Sequence, residues 1–382
     1  MRDVDIVGSE VNFRKPVLAF GAELKNTFCL AFKKRLYIGK NFGNLENLKS
    51  FTKYQNSIIS LIKKLHTKPE IIAYDLHPEY LSTKYAMEFA RRYGIDQAVS
   101  VQHHHAHIAS CMFGNNIKGK VIGVAFDGTG FGSDGNIWGG EFLVASLDNY
   151  RRAGHLKYIP MPGATKAILE PWRMTISWLD NIYKGRTKTL GIDFTKRLNR
   201  PKFKIIKQML EKNINSPLTS SVGRLFDAVA SLVIARDKVN FEAQAAIELE
   251  ELAFDAIDSR FASYGFKIKH GDCLVIDPSQ IFKEIIRDLK YGVSHAKIAY
   301  KFHCTVAKII KDTCLILRKK TGLNKVVLSG GVFQNRIISE LTLDLLSSED
   351  FQVFSHKQIP INDAGISIGQ AVVANAKLAK RG

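Results

Sequence analysis

Apolar and polar positions along the 382-residue chain switch between a period near two and a period near 3.6. Val17–Phe20 and Thr27–Phe32 are apolar runs separated by Gly21-Ala22-Glu23-Leu24-Lys25-Asn26, which predicts a strand, a glycine turn and a returning strand. Leu45–His66 carries apolar residues at helical spacing, Glu70–Tyr74 reads as a buried strand, and Tyr80–Tyr93 as a helix stopping at Gly94. Ala98–Val101 predicts a short strand leading directly into a helix over His103–Phe113. Lys120–Phe126 and Glu141–Ser146 read as strands flanking a glycine-rich turn. Pro171 to Lys320 is mostly helical by pattern, with breaks near Pro201, Pro217 and Gly265. Lys325–Leu328 predicts a strand, Ser329-Gly330-Gly331 a turn, Arg336–Leu346 a helix and Gln352–Phe354 a short strand. Asn362-Asp363 then reads as the cap of a last helix over Gly365–Ala379. No repeat of fixed period is present, and the alternation of strands and helices predicts an α/β fold, whose strand ends usually carry the ligands.

Composition narrows the class. Hydrophobic residues make up 46% of the chain and charged residues 24%, as in a globular protein and unlike a coiled coil, collagen or a disordered chain. No apolar run approaches the roughly 18 residues of a membrane helix, and the charged N-terminus has no apolar signal core, so a cytoplasmic protein is expected. Cys29, Cys111, Cys273, Cys304 and Cys314 are scattered and contain no C-x-x-C, which excludes a disulfide scaffold or zinc ribbon. The formal charge is +19, and Lys184–Asn213 contributes +8 of it, with ten basic residues against Asp193 and Glu211. Only Phe194 and Phe203 punctuate that stretch, too few aromatics for base stacking, so it reads as a solvated basic surface and no nucleic-acid partner is expected.

Two patterns carry chemistry. Asp127–Glu141, DGTGFGSDGNIWGGE, contains G-x-G-x-x-G at Gly130, Gly132 and Gly135, but it runs into a second strand and opens no helix. A dinucleotide fingerprint is therefore rejected, and no phosphate-loop lysine motif exists. Glycines at this hairpin, at Gly21–Asn26 and at Ser329–Asn335 free backbone N–H groups for phosphate, and Asp127 can hold Mg²⁺. Gln102-His103-His104-His105-Ala106-His107 supplies four histidines in five positions. On a helix His103 and His107 share a face and can chelate one ion; His104 and His107 form a second-choice pair. Position 104 is not the Glu a metalloprotease needs. A third ligand is expected to be a carboxylate, with Asp363 the best placed unless it merely caps the last helix, and mixed N/O donors suit Zn, Fe or Mn.

The strings VLAFGAELKNTFCLA, DLHPEYLST, VQHHHAHIASCM, FDGTGFGSDGNIWGGEF, EPWRM, SSVGRLFDAVA, AQAAIELE, LSGGVFQNR and INDAGISIGQA together resemble the C-terminal half of HypF-type carbamoyltransferases of hydrogenase maturation. More distantly they resemble the universal tRNA threonylcarbamoyl-transferase family. The resemblance implies a two-lobed α/β fold of the actin-like ATPase (ASKHA) type with nucleotide in the cleft. The first lobe is expected over 1–120 plus 364–382 and the second over 121–363. It implies metal ligation by His103, His107 and Asp363, and phosphate contacts from Asp127, Gly128, Thr129 and Gly130. Gly223 and Asp227 would border the nucleotide, and Gly330, Gly331 and Asn335 would cradle it. Lys25, beside Asn26 in the first hairpin, and Asp127 are the expected catalytic residues. A divalent metal, iron or zinc, is expected together with ATP, AMP or carbamoyl-adenylate, with magnesium possible at the phosphates. The implied reaction transfers the carbamoyl group of carbamoyl-adenylate to the C-terminal cysteine of a HypE-like acceptor. The family's acylphosphatase-like, zinc and YrdC-like domains have no counterpart before Val17. A stand-alone transferase module is therefore expected, supplied by a separate YrdC-like adenylate-forming protein. Alternatives are a nucleotide-binding regulator, a small-molecule O-carbamoyltransferase and a tRNA-modifying transferase. Three family motifs depart: Gly163-Ala164-Thr165 lacks the usual aspartate, Phe241-Glu242-Ala243-Gln244 has alanine for glycine, and so does Asn362-Asp363-Ala364-Gly365.

Overall fold

The computed structural model describes residues 4–257 and 262–379. The first sheet is built from β1 (Val4–Ala19), β2 (Cys29–Gly39), β3 (Ile71–Asp75) and β4 (Gln97–Val101), in the order β2-β1-β3-β4. Helices α1 (Leu48–Leu65) and α2 (Leu81–Tyr93) are the crossovers that make β1, β3 and β4 parallel, while β2 returns antiparallel along β1. Alternation along β1 sorts its side chains by face. Leu18 and Phe20 pack with Tyr54 of α1 and Phe89 of α2, and Val17 and Ala19 pack on the opposite side against Ile368 and Val372.

After α3 (His103–Gly114) comes the second sheet, with β5 (Val121–Phe131), β6 (Ile137–Ala145), β7 (Tyr150–Leu156) and the short β8 (Ile159–Pro160). A mainly helical stretch follows: α4 (Thr165–Leu169), α5 (Trp172–Tyr183), α6 (Asp193–Arg197), α7 (Arg200–Glu211), β9 (Leu218–Thr219), α8 (Val222–Ile234) and α9 (Gln244–Phe254). The chain ends through β10 (Lys267–Lys269), β11 (Leu274–Asp277), α10 (Ser279–Lys290), α11 (His295–Thr321), β12 (Lys325–Ser329), α12 (Arg336–Ser347), β13 (Gln352–Phe354) and α13 (Ile366–Ala379). The strand order is β10-β11-β7-β6-β5-β12-β13, with β8 and β9 paired beside β6.

The two sheets sandwich a central helix pair. Ile108, Cys111 and Met112 of α3 cover Val121, Ala125 and Val327 of the second sheet, as α13 covers the first. The two helices meet where Ala106 faces Gly369; a Cβ on Gly369 would lie 1.9 Å from the Ala106 carbonyl oxygen, so only glycine permits this approach. Residues 103–113 of α3 are all buried between the two layers, including four histidines and Ser110, whose polar groups must find partners inside the protein. This is the two-lobed α/β architecture that the strand–helix alternation and the motif strings imply.

Several local expectations need correction. β1 starts at Val4 rather than Val17, because its first half forms a two-stranded ribbon with β2 whose exposed charges mask the pattern. The helical stretch is interrupted by β9, β10 and β11. β11 pairs in parallel with β7, a non-local partner that no short window can reveal. The helix break expected near Pro201 does fall there, between α6 and α7, and Pro201 itself sits in the first turn of α7, where its missing N–H costs nothing. The basic stretch forms α6 and α7, where Lys196, Arg197 and Lys207 pair with Asp193, Asp237 and Glu211.

Candidate metal centre and adjoining pocket

Strand β4 ends at Val101, and Gln102 caps α3 by accepting the His105 N–H, so the first helical turn presents His103 to the interior. One turn on, His107 follows on the same face, its ring centroid 5.0 Å from that of His103. Both are fully buried. Strand β5 changes register against β6 between Phe126 and Gly130, and Asp127 leaves the regular ladder there. Its Oδ2 lies 3.3 Å from Nε2 of both histidines. Asp363 arrives from the turn before α13, with Oδ1 3.7 Å from His103 Nε2 and 3.6 Å from His107 Nε2. Asn362 does the capping there, by accepting the Ala364 N–H, which leaves the Asp363 carboxylate facing the histidines.

One donor atom from each of these four residues lies within 4.8 Å of the others. Tetrahedral bonds of about 2.1 Å put donors about 3.4 Å apart, and the nitrogen–oxygen separations here are 3.3–3.7 Å. His107 Nε2 is buried with no hydrogen-bond partner, an orphan that a cation would satisfy. The residues therefore fit a divalent ion. His103 Nδ1 is 2.8 Å from Asp75 Oδ2, a fully buried carboxylate that turns its Nε2 toward the site. Burial opposes charge on His103, but Asp75, Asp127 and Asp363 override it and hold its pKa well above the ordinary value. Burial likewise opposes charge on His107, and Asp127 and Asp363 raise its pKa. Burial would raise the carboxyl pKa of Asp127 and Asp363, yet the two histidines hold both low.

The alternative pair, His104 and His107, is corrected by the geometry. His104 is bonded through Nδ1 to the Gln102 side chain and packs beside Trp138, while His105 Nε2 bonds the Ser146 carbonyl. Asp127 joins the cluster instead as a fourth member.

Asp127 also borders a cavity of about 410 Å³. Lys25, Asp127, Gly128, Gly223, Asp227, Gly331 and Asn335 all line it. Thr129, Gly130 and Gly330 are not among its lining residues. Gly130 backs the rings of His103 and His104, and Gly330, at φ +101, packs on the Phe126 carbonyl. The side chain of Asn335 is committed to capping α12 and to His303. Thr165, at the motif departure, is exposed and not among the lining residues, so the missing carboxylate leaves the cavity unchanged.

Three charged residues that were not among the expected site residues also line the cavity: Arg224, Glu242 and Glu250. Arg224 Nε lies 2.7 Å from Asp227 Oδ2, and both residues are buried. Its Nη1 has no hydrogen-bond partner. Burial raises the Asp227 pKa to about 6 against the pull of Arg224. Glu242 Oε1 stands over Gly128, 3.0 Å from where a Cβ would be, and its other oxygen is 3.9 Å from Lys25. Burial raises the Glu242 pKa, with Lys25 opposing and Asp127 and Asp363 reinforcing it. The i, i+3 spacing of Arg224 and Asp227 was a readable signal for one pair; Glu242 and Asp75 stand in quoted motifs, but nothing local announced their contacts with Lys25 and His103. A larger groove of about 760 Å³ beside α1 has lysines but no histidine, cysteine or acid among its lining residues, unlike the smaller cavity.

Residues 12–114 match the HypF Kae1-like domain, and residues 123–370 match the Carbamoyltransferase, Kae1-like Domain, second subdomain. The chain belongs to the HypF carbamoyltransferase family. The two matches meet between α3 and β5, where the chain passes from one sheet to the other. Carbamoyltransferase HypF2 of Cupriavidus necator is 32% identical, over 94% of this chain and 46% of its own. A carbamoyltransferase HypF homolog of the same organism is 35% identical, over 94% of this chain and 91% of its own. A crystal structure of full-length HypF in the phosphate- and nucleotide-bound form is 40% identical, with a TM-score of 0.90 over 98% of this chain and 48% of that one. Apart from the second Cupriavidus protein, the chain spans about half the length of these HypF relatives. Among the described residues no helix is long and apolar enough to cross a membrane.

Proposed function

We propose that this chain is a carbamoyltransferase module of nickel–iron hydrogenase maturation, moving the carbamoyl group from carbamoyl-adenylate to a cysteine thiol of a HypE-like acceptor. One observation carries this reading: Asp127 belongs both to the four-residue cluster and to the lining of the cavity. A group bound at the cluster and a nucleotide in the cavity would therefore share a wall. On this reading the AMP part occupies the cavity. Asp227 and Arg224 offer buried polar atoms to it, and Gly128 and Gly331 present backbone without a Cβ in the way. Lys25, at the cavity edge, exchanges its Glu242 partner for the phosphate.

His103, His107, Asp127 and Asp363 would hold the ion, which when bound supplies Lewis-acid polarisation of the carbamoyl or phosphate oxygen. The acceptor sulfur, its proton lost to solvent, bonds to the carbamoyl carbon; the carbon–oxygen bond to phosphate breaks and AMP leaves. On this reading none of the chain's own cysteines is the nucleophile. Cys29, Cys111, Cys304 and Cys314 are buried, none of the five cysteines lines the cavity, and burial pushes the Cys111 thiol up to about 12. A separate YrdC-like protein would supply the adenylate.

The test supplies carbamoyl-adenylate and a HypE-like acceptor and follows AMP release and acceptor mass. Wild type is expected to modify the acceptor cysteine, and H103A/H107A to leave it unmodified. Equal transfer by the two proteins would overturn the role given to the cluster. AMP formation from carbamoyl phosphate and ATP by this chain alone would remove the separate supplier.

A further inference from the structure

The two buried histidines are held from behind by different chemistry. Asp75, at the end of β3, anchors His103 Nδ1. His107 Nδ1 instead faces Ser329 Oγ at 3.4 Å, at the end of β12 in the other sheet. Ser329 is fully buried, and its hydroxyl has a second neighbour, His356 Nε2, at 2.8 Å. His356 lies in the loop between β13 and the Asp363 turn and is absent from the cavity lining.

A serine hydroxyl has one proton to give and lone pairs to receive. If its proton goes to His356 Nε2, its lone pair faces His107 and can accept only an Nδ1–H. The Nε2 lone pair of His107 is then left for the side where Asp127 and Asp363 lie. Burial and the neighbouring His107 bring the His356 pKa down to about 3, so that ring stays neutral and able to accept. The adjoining residues act on the same centre. Gly330 N–H donates to the Ile361 carbonyl, two residues before Asp363, and Gly331 N–H donates to Asp127 Oδ1.

We propose that Ser329 and His356 are a positioning pair that holds His107 as its Nδ1–H tautomer and so presents its Nε2 to a divalent ion. The proposal deepens the reading of the four-residue cluster as an ion site and rests on it. Partners of this kind behind a metal-binding histidine typically contribute about 10–100-fold in affinity.

The test measures Zn²⁺ affinity by chelator competition, and Co²⁺ visible spectra, for wild type, S329A, H356A and H356Q, with AMP affinity alongside. S329A and H356A are expected to lose about 10–100-fold in Zn²⁺ affinity and to shift the Co²⁺ bands, with AMP affinity unchanged. H356Q, whose amide oxygen can still accept the hydroxyl proton, is expected to recover most of the loss. Tight Zn²⁺ binding by wild type, S329A and H356A alike would overturn the positioning pair and leave the ion site standing. H356Q as weak as H356A would reduce His356 to a space-filling role and likewise overturn it. Absence of Zn²⁺ and Co²⁺ binding by wild type would overturn the ion site itself, and the pair with it.

Discussion

The four-residue corner of His103, His107, Asp127 and Asp363 and the cavity beside it meet at Asp127 but are built on opposite plans. In the corner three of the four side chains are backed by a second group. Asp75 stands behind His103, Ser329 behind His107, and the Gly331 N–H behind Asp127. Strands β3, β5 and β12 from the two sheets, helix α3 and the turn before α13 converge there, so the donors are held from several sides. The cavity keeps polar groups in reserve: the Arg224 Nη1 has no partner, and Glu242 is paired with Lys25 only at 3.9 Å. A small ion needs donors fixed within a fraction of an ångström, whereas a nucleotide brings its own hydrogen-bonding groups to satisfy open ones. The difference teaches that the two sites can be broken separately.

The largest effect is expected at the corner. H103A/H107A should lose Zn²⁺ affinity by more than the roughly 100-fold that an outer partner can supply, since it removes direct donors. Equilibrium dialysis against Zn²⁺ and AMP checks this, and AMP binding should persist. Loss of both ligands together would show the plans are not separable.

Next in size, D227N should weaken AMP binding about 10–100-fold, the equivalent of about 1.5–3 kcal/mol for a charged hydrogen bond, with Zn²⁺ affinity unchanged. Calorimetric titration with AMP reads it. An unchanged AMP affinity would place the nucleotide elsewhere.

Protonation sharpens the contrast further. His103 and His107 have raised pKa values, so the stabilisation from their protonated forms is complete below the ordinary histidine range and is lost as pH rises through the raised values. Asp127 and Asp363 have lowered ones, so theirs is present above the ordinary carboxylate range and lost as pH falls through the lowered values. The metal-free corner is thus most stable between those limits, and an ion must displace the histidine protons. Zn²⁺ affinity should rise with pH up to the raised histidine values, and the melting temperature of the metal-free protein should fall as pH climbs from the ordinary histidine range to those values, both followed in a pH series. A flat Zn²⁺ affinity would contradict the protonated pair.

The smallest effect concerns the backbone beside the cavity. Ala243, at φ 66 and ψ 1, occupies a left-handed position that costs an alanine about 1–2 kcal/mol. A243G should raise the melting temperature modestly and leave Zn²⁺ affinity untouched; a lower melting temperature would mean the side chain packs favourably there.

What could be read beforehand follows the same division. The i, i+4 histidines and the glycine hairpin are short-range patterns, and the motif strings carried the two-lobed fold. Asp363 was legible only by resemblance and its place before the last helix. The roles of Asp75, Glu242 and the His356 contact were not legible, because each acquires its neighbour only when distant strands and helices come together, whereas the Arg224–Asp227 pair lies within one helix. Strand β11, paired with β7, escaped for the same reason.

The central claim is that the four side chains share one ion. Anomalous diffraction at the metal edge from crystals of Zn²⁺-loaded protein tests it most directly. The account predicts a single peak about 2.0–2.2 Å from His103 Nε2, His107 Nε2 and carboxylate oxygens of Asp127 and Asp363. A map with no peak there, or with zinc bound at other residues, would contradict it.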